Sequence, residues 1–184
     1  MHVDKVHYMN LDENKHRIAL DLVRFVGSAV AIALALYYLP NYFFYEKIVG
    51  ENAAYVMQLM GMKGTVWAIG DRVFLNQFEI QRMCTGVQVI AVFFGIIVAI
   101  PKVTLKKRVL AFSIVAISVH LANIGRIAFE IWLLYAGILP WSLAHYPTGL
   151  ILGIISVAFL IVAADYFIPQ IGDLTLSVLD SFRS

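Results

Sequence analysis

Residues 84–108 read CTGVQVIAVFFGIIVAIPKVTLKKR. The first part, 84–101, holds no charged residue and ends at Pro101. A run of this length is close to the roughly 20 apolar residues that cross a hydrocarbon layer. Lys102, Lys106, Lys107 and Arg108 follow at once. Lys and Arg accumulate in short cytoplasmic loops. The stretch therefore predicts a transmembrane helix that descends into the cytoplasm and a next one that climbs back.

Outward from it, three more apolar runs are long enough to span, near 18–40, 109–135 and 148–169. Apolar residues make up 61% of the 184-residue chain, against about 45–50% in soluble domains. Lipid is the sink for that excess. The expected fold class is an all-α polytopic membrane protein, a single membrane domain over 1–184 with about four spans. The first sixteen residues mix acids and bases without an apolar run, so no cleavable signal peptide is expected and the first span serves as the targeting signal. Lys5, Lys15 and Arg17 precede that span. With the 102–108 loop they place both termini in the cytoplasm and 41–83 outside.

Near the start of the first span, Asp21 and Arg24 stand three apart and can pair on one helical face. Tyr37, Tyr38, Tyr42, Phe43, Phe44 and Tyr45 read as an aromatic belt at the outer surface. Within the extracytoplasmic segment, 51–62 has a helical apolar pattern and predicts an interfacial helix. From Thr65 the pattern shortens: TVWAI, Gly70-Asp71, RVFL, Asn76-Gln77, FEIQR. Turn signals between short β-rich runs predict a small hairpin or meander.

Polar residues at membrane depth carry the functional information, because they are expensive there. Cys84, at the first turn of the second span, is either a small buried apolar residue or a nucleophile whose thiolate a helix N-terminus favours. Arg126, in the outer half of the third span, either pairs with Glu130 and snorkels or faces an anion. His145, in the loop LAHYPTG before the fourth span, is either an interfacial aromatic or a general acid/base. His120 and Asn123 suit interhelical hydrogen bonds, and Asn123 can orient Arg126. Asp165 suits snorkelling or helix pairing, and Arg82 a solvated interface charge. On this topology Cys84, Arg126 and His145 share the outer end of three helices. A nucleophile, a cation and an acid/base at one depth are what cysteine-dependent acyl transfer requires.

Other classes are weaker. A net charge of +2 and no basic stripe give no sign of a nucleic-acid partner. One cysteine cannot make a redox pair, HExxH is absent, and no inverted repeat marks a transporter. A non-catalytic membrane scaffold or assembly factor stays open.

Three segments, MCTGVQ, NIGRIAFE and HYPTGLILG, occur in order with the inside/outside alternation described above. Across about 64–169 they resemble the exosortase/archaeosortase family of membrane-embedded cysteine transpeptidases, with a short archaeosortase as the nearest type. Some archaeal members carry Arg where His145 stands. The resemblance implies substrates that are surface proteins with a C-terminal sorting signal: a short motif, a transmembrane helix and a basic cluster. It implies that Cys84 attacks the scissile carbonyl as thiolate, Arg126 stabilises the oxyanion, and His145 protonates the leaving amine. It also implies transfer to an acceptor, a membrane lipid in archaea, and needs no cofactor.

Overall fold

The structure, a computed structural model, describes residues 3–101 and 103–167. Lys102 and the C-terminal tail lie outside the described residues. The order is α1 (Val3–Tyr38), α2 (Phe43–Leu59), β1 (Val66–Ile69), β2 (Arg72–Leu75), β3 (Phe78–Glu79), a 3-10 turn (Arg82–Thr85), α3 (Val87–Ala99), α4 (Leu105–Tyr135) and α5 (Trp141–Phe167).

Three helices are long and apolar enough to cross a membrane: Leu20–Tyr38 within α1, Leu105–Tyr135, and Ser142–Val162 within α5. Where the sequence predicts a span over 84–101, α3 has only 13 residues, about 20 Å at 1.5 Å per residue. Both ends are clipped. Gly86 takes a left-handed conformation, φ 74°, which interrupts the helix before it can reach Cys84. At the other end Arg108 folds back: Nη2 donates to the Ile100 carbonyl at 2.6 Å, Nε to Val103 at 3.2 Å, and Nη1 to Val98. Arg108 is thus no loose loop charge but a cap on the carbonyls the helix leaves unpaired.

The long elements alternate in direction. Phe25 of α1 packs beside Ile97 and Ile100 of α3, while Arg82, just ahead of α3, donates to the Tyr37 carbonyl near the end of α1. A Cβ at Gly95 would overlap the Ala29 carbonyl oxygen, so the α1–α3 approach depends on glycine there. Phe93 of α3, Val115 and Val119 of α4 and Leu160 of α5 form one buried cluster. Asp21 and Arg24 lie 3.8 Å apart in the open.

The extracytoplasmic prediction is refined. A helix does cover part of 51–62, but it starts at Phe43, taking in the aromatic run read as a belt. Rather than lying flat, α2 buries Val49, Ala53 and Met57 against Ile124, Ile127, Ala128 and Ile131 of α4 and Val73 and Leu75 of β2. The strands form the expected meander, order β1-β2-β3, both pairs antiparallel, with Ile69 opposite Arg72 and Leu75 opposite Phe78. Asn76 pins it. Its Oδ1 accepts from Thr65 N at 2.9 Å, its Nδ2 donates to Lys63 O at 3.0 Å, and its carbonyl accepts from the Trp67 indole at 2.7 Å.

Ile151, Ile154, Ile155, Phe159 and Val162 leave α5 with a bare apolar surface. Only 8% of the Ser142–Val162 window is buried, so this helix has no protein partner for most of its face. Apolar surface on that scale marks an interaction with lipid or protein.

Candidate functional site

Asn123, Arg126 and Glu130 are spaced i, i+3, i+7 along α4 and therefore share one face. That face looks towards the 3-10 turn on one side and α5 on the other. The turn is held by Thr85, fully buried, whose hydroxyl donates to the Arg82 carbonyl at 2.7 Å and accepts from Val87 N at 3.4 Å. Gly86 then lets the chain reverse against α4. A Cβ there would stand 2.9 Å from Val119 Cγ1, closer than packing allows.

These constraints deliver the Cys84 carbonyl to α4. It accepts from Asn123 Nδ2 and, at 3.4 Å, from Arg126 Nη2. Asn123 Oδ1 accepts from Arg126 Nε at 3.2 Å and Nη2 at 3.1 Å. The opposite edge of the guanidinium, Nη1, donates to Glu130 Oε1 at 3.0 Å. Glu130 Oε2 lies 2.9 Å from His145 Nδ1. A continuous polar chain thus runs Cys84 carbonyl, Asn123, Arg126, Glu130, His145 across three elements.

Cys84, Arg126 and His145 do meet at one end of the bundle, with two differences from expectation. Cys84 joins through its backbone carbonyl, while its side chain packs against the apolar cluster of α2, β2 and α4. It also precedes α3 instead of opening it, so the helix-terminus argument for a thiolate does not apply. Outside the helix, burial pushes the Cys84 thiol above its ordinary value; a backbone hydrogen bond at Gln81 and the Arg126 charge pull the other way without reversing it.

His145 lies inside α5 and not in a loop. The helix begins at Pro140, whose carbonyl accepts from Ala144 N at 2.9 Å. Proline suits a first turn, because its missing N–H would have no helical acceptor anyway. The register carries His145 round to face Glu130.

The other polar residues are also placed. His120 is gripped from α2, by the Tyr45 hydroxyl at 3.2 Å from Nδ1 and Asn52 Nδ2 at 3.1 Å from Nε2. Arg82 is no solvated charge: its Nη1 donates to Tyr37 O at 3.1 Å, and its guanidinium lies 5.0 Å from the Tyr42 ring centre. Asp165 falls near the end of α5.

A cavity of about 540 Å³ opens between the turn, α4 and α5. Arg126, Asn123 and Gln88 give it polar groups, and Met83, Val119, Phe129, Leu152 and Val157 make it otherwise apolar. Among the described residues no cluster of His, Cys, Asp or Glu is placed to hold a metal ion. Glu130 is the residue sequence reasoning gave only a structural part. Its signal was the i, i+4 spacing from Arg126, but its bond to His145 needs the α4–α5 register. Comparison with protein-family models, curated proteins and solved structures finds no match to this chain.

Proposed function

We propose that the chain is a polytopic cell-membrane cysteine transpeptidase of the exosortase/archaeosortase type, with cytoplasmic termini and an extracytoplasmic site. α1, α3, α4 and α5 alternate across the bilayer, and the polar chain lies at the end the positive-inside rule puts outside. Its substrates are surface proteins with a C-terminal sorting signal, and its acceptor is a membrane lipid. The observation that supports this reading is the polar chain itself, which ties the Cys84 turn, Arg126 and His145 together beside a membrane-facing cavity.

The raised thiol gives the mechanism its order. Cys84 enters as a thiol and needs a base. His145 takes the Sγ proton as Sγ bonds to the scissile carbonyl carbon. Arg126 stabilises the oxyanion. The C–N bond then breaks, and the proton passes from His145 to the leaving amine nitrogen. The acceptor attacks the thioester, its proton going to His145, and the thiol is restored.

A second reading, a non-catalytic scaffold, is favoured by one observation: the Cys84 side chain sits on an apolar cluster and its carbonyl, not its sulfur, meets Asn123 and Arg126. Intact-mass analysis of a co-expressed membrane protein with a candidate sorting signal separates the two. Transpeptidation predicts loss of the substrate's C-terminal helix with the native chain and none with Cys84→Ala, Arg126→Ala or His145→Ala; added mass identifies the acceptor. Unchanged processing by correctly inserted Cys84→Ala overturns the thiol mechanism.

A further inference from the structure

We infer that Glu130 is a positioning residue that fixes both the ring of His145 and the plane of Arg126; its catalytic consequence rests on the acyl-transfer reading above. The Glu130 side chain is 3% exposed, and a buried carboxylate persists only when paired and hydrogen-bonded. Its two oxygens are divided between two partners on two helices, Arg126 Nη1 at 3.0 Å and His145 Nδ1 at 2.9 Å. An ionised carboxylate can only accept, so Nδ1 carries the hydrogen. The neutral ring then bears its lone pair on Nε2, the nitrogen that can receive a proton from a thiol. A histidine base oriented at Nδ1 by a carboxylate is the recurring arrangement in nucleophilic catalysis.

Arg126 is fixed from both edges, by Glu130 at Nη1 and by Asn123 at Nε and Nη2. That leaves its orientation little freedom while it lines the cavity. Glu130 is not among the residues lining that cavity. It therefore acts through its two neighbours and not on substrate. A carboxylate needed only to neutralise Arg126 would have no use for an imidazole brought from α5.

The test pairs a substrate-independent readout with a substrate-dependent one. The full chain, with ¹⁵N-labelled histidine in detergent micelles, gives the ring pattern of His145, assigned by its loss in His145→Gln. Glu130→Gln is expected to shift that pattern away from the Nδ1–H tautomer and to slow processing of the co-expressed substrate by about 10³-fold. Glu130→Asp, which keeps the charge one methylene further back, is expected to recover part of both. An unchanged ring pattern with native processing in Glu130→Gln overturns the inference. If the Gln variant does not accumulate, Glu130→Asp carries the same test, and native behaviour in both readouts overturns it. A shifted ring pattern with no processing by the native chain supports the positioning of His145 and overturns the acyl-transfer reading alone.

Discussion

α4 carries two buried polar clusters less than two turns apart, and they are built differently. On one side His120 meets Tyr45 and Asn52, both from α2. On the other, Asn123, Arg126 and Glu130 meet the Cys84 turn and α5. The first joins two helices through side chains that carry no obligatory charge, beside an apolar cavity of about 470 Å³. The second joins three elements and contains a full ion pair. Two helices can be held together by neutral groups at little cost. Burying a cation and a carboxylate is a poor route to stability, since an apolar substitute would do as well or better. The charged cluster is the one whose presence asks for a function.

The largest expected break in this comparison is Glu130→Ala. It strands the Arg126 charge and removes the acceptor for His145, which destabilises by about 3–5 kcal/mol. Thermal unfolding in detergent would read it as a large fall in midpoint. A loss no greater than that of a neutral-cluster mutant would erase the distinction drawn between the two clusters.

Reactivity at Cys84 sharpens it next. With the thiol held above its ordinary value by burial, the thiolate fraction at neutral pH is small, and alkylation by a charged, membrane-impermeant maleimide should rise through a pH above the free-thiol value of about 8.5. Arg126→Gln removes the charge that opposes burial. The profile should move further up, slowing alkylation at neutral pH about three- to tenfold. A profile that moves down, or does not move, would separate Arg126 from the thiol.

The smallest effect belongs to the neutral cluster. Tyr45→Phe deletes one hydroxyl opposite His120 and should cost about 0.6 kcal/mol, a shift in midpoint of a degree or two with processing unchanged. Loss of processing here would mean that the neutral side of α4 also takes part in function.

What the sequence made legible is what depends on local pattern. Apolar runs located α1, α4 and α5, turn residues located the meander, and the spacing of Arg126 and Glu130 anticipated their pairing. The misses all turn on tertiary register. Gly86 reads as a small residue beside Cys84, and only its contact with Val119 reveals that the chain reverses there. Pro147 drew the start of α5 away from Pro140, placing His145 in a loop. Glu130 and His145 are 15 residues apart in sequence, and nothing local links them. The 43–45 aromatics suited a belt equally well until α4 offered α2 a face to bury.

The brevity of α3 has a consequence for the solvent. On the membrane-spanning reading, a helix of about 20 Å must be matched to a hydrocarbon layer of about 30 Å. Lipids beside a short span thin to meet it. The clipped upper end, where Gly86 turns the chain, therefore lies at the floor of a local depression in the bilayer. Water and dissolved nucleophiles can descend to the Cys84 turn there without leaving the aqueous phase, while a substrate held in lipid arrives at the same level from the side.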